Sequence, residues 1–161
     1  MRVEHFPEGV ETGAGPRVVY DVERDEAHYG AVRVDGHALV WEIDEPPDRD
    51  RLVRCDRVDF PPGGIAYLHT HPGPGIRVLL KGRIRIETKG GSHQYGPFES
   101  WYETGPDPVY AAASDSEETA FVRVMLLPRE WEGKRTIRYV NREDADKPTL
   151  QRARIYFERP L

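Results

Sequence analysis

Short apolar runs, several of them alternating apolar with polar positions, recur along most of the chain and predict β-strands. The runs are rich in valine, leucine, isoleucine and aromatic residues, which favour extended backbone. No stretch keeps a 3.6-residue apolar period over three turns, and only residues 129–135 and 142–147 are short candidates for a helical turn. The pattern therefore predicts an all-β fold. The clearest strand candidates are residues 17–22, 31–43, 51–60, 65–71, 76–88 and 119–127.

Turn residues between these runs indicate antiparallel connections. Asp35-Gly36 separates two runs and is the kind of pair expected in a tight hairpin. With 15 glycines and 14 prolines spread between short strands, the chain favours an antiparallel barrel or sandwich. We expect one domain over residues 1–161, with a barrel core at about 51–127 and less regular arms at 1–16 and 128–161.

Composition narrows the classes of partner. The formal net charge is -5 and no basic face is concentrated in the sequence, which argues against a nucleic-acid partner. No apolar run reaches the roughly 18 residues that a membrane span needs. The first residues lack the apolar core of a secretory signal, and Cys55 is the only cysteine. We therefore expect a cytoplasmic protein with no internal disulfide and no membrane partner.

The C-terminal piece, residues 153–158, alternates two aromatics with charged residues and has no hairpin partner nearby in the sequence. A strand with unpaired backbone groups and exposed aromatics needs a cover. Pairing with a second subunit would supply one, so the sequence predicts a homodimer. Folding of the tail back onto its own barrel is the alternative.

Two histidines on one strand are the first sign of chemistry. Strand alternation places Tyr67, His69 and His71 on the same face of the run at 65–71. Two inward imidazoles are costly to bury without partners, although a single buried histidine is commonly an ordinary core residue. The spacing is one by which a strand offers two nitrogens to a metal ion.

Around these histidines the chain resembles the cupins. The segment from Gly64 through His69 and His71 to Gly82 is similar to the first cupin motif, and residues 96–110 are similar to the second. Together the two motifs span residues 64–114. The resemblance implies a cupin-type antiparallel β-barrel, the double-stranded β-helix or jelly roll, with N- and C-terminal arms.

The metal site implied by the resemblance is only half present. His69 and His71 match the first two metal ligands, whereas the glutamate of the family falls on Gly75 and its later histidine falls on Tyr110. If a metal binds, zinc, iron, manganese and nickel all suit two histidines plus an oxygen ligand. Tyr110 is the candidate third ligand, and Glu103 is a candidate displaced carboxylate whose other interpretation, the favoured one, is a solvated loop residue.

The resemblance also implies a pocket for a small molecule. Substrate-binding candidates are Tyr67, Arg77 and Trp101. Arg77 would bind a carboxylate or phosphate if it faced inward, although a surface position is favoured for it, and Trp101 would give a flat apolar wall.

Two functions follow, and the sequence leaves the reaction and the substrate open. The first is a metal-assisted enzyme with Tyr110 and His71 as catalytic residues, of isomerase, lyase, cyclase or dioxygenase type. The alternative is a non-catalytic, metal-free module that binds a small organic acid or sugar derivative. A third possibility is acid–base chemistry by the histidines without a metal.

Overall fold

The computed structural model describes all 161 residues, and strands dominate it, as the alternation predicts. Two 3₁₀ turns, Arg129–Trp131 and Arg142–Asp146, occupy the two places where the sequence allowed a helical turn. The structure contains no helix with the length and apolar character that a membrane crossing requires. The sixteen strands are β1 (Arg2–Phe6), β2 (Val10–Thr12), β3 (Arg17–Asp21), β4 (Glu26–Tyr29), β5 (Val32–Val34), β6 (Ala38–Glu42), β7 (Arg51–Phe60), β8 (Ile65–Thr70), β9 (Gly75–Lys81), β10 (Ile84–Thr88), β11 (Gly91–Tyr95), β12 (Ser100–Glu103), β13 (Val109–Ala113), β14 (Thr119–Pro128), β15 (Arg138–Tyr139) and β16 (Arg152–Pro160).

Strands β7 to β14 form two facing antiparallel sheets. Sheet I has the order β12-β9-β14-β7-β16, and sheet II has the order β11-β10-β13-β8-β15. From β7 to β10 the chain crosses between the sheets at every strand, and it does so again from β11 to β14. Two Greek keys joined in this way make a double-sheet jelly roll. The fold class predicted from the sequence is therefore confirmed.

Apolar side chains pack on both faces of sheet I. Between the two sheets lies a core that includes Phe60, Leu79, Trp101 and Phe121. The opposite face of sheet I packs against an N-terminal sheet of order β1-β6-β3-β4. Strands β7 and β14, in the middle of sheet I, are therefore buried on both faces, and the lone Cys55 is buried there too.

The predicted hairpin at Asp35-Gly36 does not form. Strand β5 before it pairs with β2, whereas β6 after it pairs with β1 and β3. Gly36 has a φ of 131°, a conformation that glycine adopts without strain. The dipeptide therefore turns the chain from one sheet into another instead of pairing its two flanking strands.

The C-terminal tail pairs within its own chain. Strand β16 lies antiparallel to β7 at the edge of sheet I, and a bulge interrupts the register between Ile155 and Phe157. This is the alternative considered for the tail, and it removes the argument on which the homodimer rested. The free edge of β16 carries that bulge and ends at Pro160, two features that discourage further strand pairing.

Candidate functional site

A cavity of about 330 Å³ lies between the two sheets and is closed on one side by the C-terminal arm. This volume suits one small organic molecule. One part of its wall is apolar and includes Trp101, Phe121 and Ile86, and another part carries charged and imidazole side chains. The polar side chains from the sheets are Arg54, Asp56, His69, His71, Arg77, Glu103 and Arg123.

A β-bulge decides which residues of β8 reach this cavity. His69 pairs with Val109 and Ala66 pairs with Ala111, so two residues of β8 face a single residue of β13 between those pairs. The extra residue shifts the alternation, and the cavity is lined by Ala66, His69 and His71. Tyr67 turns away from it, with its ring 4.2 Å from Nζ of Lys147. The structure therefore does not support Tyr67 as a substrate-binding residue.

Tyr110 is also outside the cavity. On β13 the residues Val109, Ala111 and Ala113 are buried, and Tyr110 takes the opposite phase of the strand. Its ring lies 5.8 Å from Cζ of Arg85 in an open groove on the far face of sheet II. Tyr110 is therefore placed neither to ligate an ion at His69 and His71 nor to act catalytically beside them.

His69 is held in one tautomer. Its Nδ1 lies 2.6 Å from the carbonyl oxygen of Tyr67, so Nδ1 carries the proton and donates it, and Nε2 keeps its lone pair. Burial lowers the pKa of His69, although the Tyr67 carbonyl and the charge of Glu103 oppose that shift. We therefore expect a neutral imidazole at neutral pH, with an available acceptor nitrogen.

His71 is neutral for related reasons. Burial holds its pKa well below the ordinary value, and the charges of Arg123 and Arg77 and the nearby His69 lower it further. The two imidazole rings stand edge to face with centroids 4.9 Å apart. The backbone of Thr136 is close enough to raise the pKa slightly, yet Nδ1 of His71 is buried without a hydrogen bond of normal geometry.

Glu103 and Arg77 form a buried ion pair beside His71. Oε2 of Glu103 lies 2.8 Å from Nη2 of Arg77 and 3.7 Å from Nε2 of His71. Oε1 accepts a hydrogen bond of 2.8 Å from the indole of Trp101. Burial lowers the pKa of Arg77 to about 10, against the opposing charge of Glu103, so its guanidinium stays charged at neutral pH.

These positions change two interpretations made from the sequence. Arg77 is fully buried in the cavity wall and is not a surface residue. Glu103 is a cavity residue and not a solvated loop residue, because it shares the inward phase of β12 with Trp101. Of the two successive aromatic residues Trp101 and Tyr102, one was expected to face the interior, and it is Trp101. The sequence feature that indicates an inward Glu103 is its spacing of two residues from that tryptophan, because residues two apart on a strand share a face.

Gly75, where the resemblance placed a glutamate, has no room for a side chain. A Cβ there would lie 2.6 Å from the carbonyl oxygen of Val124 and 2.8 Å from Cγ of Met125. Directly across the sheet, Glu103 of β12 pairs with Gly75 of β9. The carboxylate that the resemblance placed on β9 is therefore supplied by the neighbouring strand β12.

We expect Gly75→Ala to lower the free energy of unfolding by about 1–3 kcal/mol, because the backbone of β14 must move to accept a methyl group. Urea denaturation measures the change. Gly13→Ala is the matched control, since a Cβ at Gly13 meets nothing within 4 Å. Equal stability of the two variants would contradict the close packing at Gly75.

The sequence-based prediction did not include the charged side chains that strands β7 and β14 contribute to the cavity. Arg123 binds Asp56 with two hydrogen bonds, of 2.6 Å from Nε and 3.1 Å from Nη2, and this leaves Nη1 available. Arg54 donates to Glu158 and to the carbonyl oxygens of Lys134 and Trp131. The sequence does indicate such buried charges in one way: a charged residue stands in the middle of an apolar run, as Arg123 does.

Cations outnumber anions around the cavity. Five cationic side chains, those of Arg54, Arg77, Arg123, Lys134 and Arg135, line it together with the carboxylates of Asp56 and Glu103, and a third carboxylate, that of Glu158, binds Arg54 from behind the wall. The whole chain, by contrast, has a formal charge of -5. The local excess of positive charge favours an anion inside the cavity.

Comparison with known proteins assigns no family to this chain. The chain matches no family model and no curated protein. Its strand order is that of a double-sheet jelly roll, which cupins share.

Solved structures with a similar arrangement include proteins with different described activities. A recombinant oxalate oxidase in complex with glycolate is 23% identical over 45% of this chain and 41% of that one, with a TM-score of 0.42. The polyketide cyclase RemF from Streptomyces resistomycificus is 16% identical over 62% of this chain and 77% of that one, with a TM-score of 0.44. A cupin domain from Bordetella pertussis Tohama I is 25% identical over 52% of this chain and 85% of that one, with a TM-score of 0.39. The chain thus spans less than half of the oxidase, and the likeness is one of fold alone.

The cupin resemblance implies a divalent metal, and the residues of this cavity do not fit one. No three histidine, cysteine or carboxylate side chains converge as an ion requires. The carboxylate nearest the histidines, that of Glu103, is held by Arg77 and Trp101. Arg77 and Arg123 are close enough to lower the pKa of both histidines, so a divalent cation would meet the same repulsion.

Proposed function

We propose that the cavity binds a small organic acid and that His69 transfers a proton to or from it without a metal ion. The observation that carries this proposal is the excess of cationic side chains around a cavity between the two sheets of an acidic protein. Nη1 of Arg123, which Asp56 leaves available, is the group we assign to the carboxylate of the acid.

His69 is the proposed general base because its geometry is already set for that role. The Tyr67 carbonyl fixes the proton on Nδ1, and the low pKa leaves Nε2 unprotonated at neutral pH. In the proposed step, Nε2 takes a proton from the carbon next to a carbonyl group. The electron pair of the broken C–H bond moves onto the carbonyl oxygen, where Arg77 and Arg123 favour the negative charge. Isomerase and lyase reactions begin in this way.

Binding is tested first, with probes that differ only in charge. Phenylacetate and phenylacetamide have the same shape, and thermal shift and calorimetry at pH 7.5 compare them. We expect the acid to bind at least about 10-fold more tightly, since a charge-assisted hydrogen bond contributes about 1.5–3 kcal/mol. Equal affinity for the amide would overturn the assignment of the cavity to organic acids.

Proton transfer is tested by deuterium exchange. Phenylpyruvate in D₂O is followed by NMR for enzyme-dependent loss of the hydrogens next to its carbonyl group. We expect exchange with the native protein, its loss in His69→Gln and no change in His93→Gln, a variant on the exposed strand β11. Exchange that survives in His69→Gln would remove the catalytic role. Binding without any exchange would favour the non-catalytic module.

The metal-assisted enzyme is tested separately by elemental analysis. Protein purified without a metal-affinity step is incubated with zinc, manganese, iron or nickel and then desalted. We expect no near-stoichiometric metal, and no effect of EDTA on the binding of phenylacetate. Bound metal that disappears in His69→Ala/His71→Ala would overturn the metal-free reaction.

A further inference from the structure

Three arginines of the barrel strands line the cavity, and each of them already has a carboxylate partner. The pairs are Arg54 with Glu158, Arg77 with Glu103 and Arg123 with Asp56. Because the charges of each pair cancel, the three pairs add no net charge to the wall. The excess of positive charge around the cavity therefore comes from the C-terminal arm, which contributes Lys134 and Arg135.

Arg135 is held in place by neutral groups. Its Nη2 donates to Oη of Tyr139 at 3.2 Å and to Oγ1 of Thr149 at 3.3 Å, and its Cζ lies 5.8 Å from the centroid of the Tyr139 ring. Neither partner is a carboxylate, and these contacts leave Nε and Nη1 without a partner in the protein. The guanidinium is therefore positioned, yet its charge is not compensated.

A ligand can reach Arg135, because this side chain is exposed at the rim of the cavity. Thr149, one of the two residues that position it, lines the same cavity. A charged N–H group binds a carboxylate through a charge-assisted hydrogen bond. The rim therefore offers an anion site separate from Arg123, which is only 7% exposed and belongs to the inner wall.

Apolar side chains of the same cavity indicate what joins the two anion sites. Trp101, Phe121 and Ile137 all line it, and such a wall accommodates hydrocarbon. A ligand that reaches both Arg123 and Arg135 therefore has an apolar spacer with an anionic group at each end.

We infer that the ligand is a dicarboxylic acid with an apolar spacer, and that Arg135 selects it by binding the second carboxylate. The first carboxylate, on Arg123, rests on the proposed function, and the second goes beyond it. Arg135 is a specificity-determining residue in this arrangement.

The test compares diacids with molecules of the same shape that lack one charge. Glutarate, adipate and pimelate, each against its own monoamide, present three spacer lengths, and calorimetry at pH 7.5 measures the affinities. We expect at least one diacid to bind about 5-fold more tightly than its monoamide, after correction for its two equivalent ends. The absence of a preference at every length overturns the inference.

A substitution on the arm locates the second carboxylate. Arg135→Gln should abolish the preference for the diacid and leave the affinity for the monoamide unchanged. Arg142→Gln is the matched control, because Arg142 is an exposed arginine of the same arm that does not line the cavity. A preference that survives in Arg135→Gln, or that is lost equally in Arg142→Gln, overturns the role of Arg135.

Salt provides a second measurement on the native protein, which decides the matter even if Arg135→Gln does not fold. An exposed charge pair is screened, so the preference should shrink as NaCl rises from about 0.02 M to about 0.5 M. A preference that salt does not reduce overturns the assignment to Arg135.

Phenylacetate and phenylacetamide distinguish failure of this inference from failure of the proposed function. Equal affinity for these two probes removes the proposed function and the inference with it. Tighter binding of phenylacetate together with equal affinity for every diacid and its monoamide removes the inference alone.

Discussion

Arg123→Leu should lower the free energy of unfolding by about 3–5 kcal/mol, the largest effect we expect from one substitution in the cavity wall. Arg123 and Asp56 are both buried and stand directly opposite each other on β14 and β7. Removal of the guanidinium leaves the carboxylate of Asp56 buried without its two hydrogen bonds. The cost is therefore that of an uncompensated buried charge.

The double variant Asp56→Leu/Arg123→Leu should recover most of that loss. Replacing both members of a buried ion pair by apolar side chains is often close to neutral for stability. Guanidinium chloride denaturation of the native protein, the two single variants and the double variant gives the coupling energy. A double variant as unstable as Arg123→Leu would mean that the pair is not the reason for the loss.

The same double variant separates stability from function. If it folds, it lacks the guanidinium assigned to the carboxylate of the ligand, so its affinity for phenylacetate should fall at least about 10-fold. Its affinity for phenylacetamide should stay unchanged. Unchanged binding of phenylacetate would contradict our assignment of Arg123. It would indicate that Arg77 or the cationic residues of the C-terminal arm bind the carboxylate instead.

The barrel was predictable from the sequence because strand patterns and turns are local signals. The apolar runs located β7 to β10 and β14, whereas β11, β12 and β13 fall outside every predicted run. The two motifs around His69 and Glu103 indicated the jelly-roll arrangement through their resemblance to cupins. The partner of each strand is not a local property. For this reason Asp35-Gly36 was misread as a hairpin, and the tail, which pairs with β7 in the same chain, was assigned to a second subunit. The homodimer stays a prediction, now without that support.

The site was predictable only where alternation is regular. His69 and His71 share a phase and line the cavity, as expected, but the bulge in β8 takes Tyr67 out of it. Tyr110 was assigned through the resemblance, whereas the phase of β13 places it on the opposite face. Neither the bulge nor its effect on direction has a signature in the sequence itself.

A different reason explains why the sequence analysis did not identify Arg54, Asp56 and Arg123 as cavity residues. Strands β7 and β14 are covered on both faces, so their apolar residues occupy both phases and give no inward direction. A charged residue in such a strand can be read as an outward-facing surface position. Only the N-terminal sheet, which covers the outer face of sheet I, shows that no such surface exists there.

Acidification should destabilise the protein well before its carboxylates titrate, and this is the second large effect we expect. His69 and His71 have pKa values lowered by burial, and they face Arg77 on β9, Glu103 on β12 and Arg123 on β14. His5 also has a lowered pKa, through burial and the nearby His37. In the unfolded chain each of these imidazoles titrates near the ordinary value of 6.5.

The sign follows from where the protons bind. Below pH 6.5 the histidines of the unfolded chain bind protons, whereas those of the folded protein stay neutral. The stability that the neutral histidines provide is therefore present above pH 6.5. It is lost as the pH falls towards the pKa values of these histidines in the folded protein. Each proton that only the unfolded chain binds makes the free energy of unfolding fall by about 1.4 kcal/mol per pH unit of acidification. Urea denaturation at several pH values between 8 and 5 measures the slope. His69→Asn/His71→Asn should make it shallower whatever its effect on absolute stability, and His93→Asn should leave it unchanged. A slope equal in the native protein and the double variant would show that the two cavity histidines are not held neutral by burial.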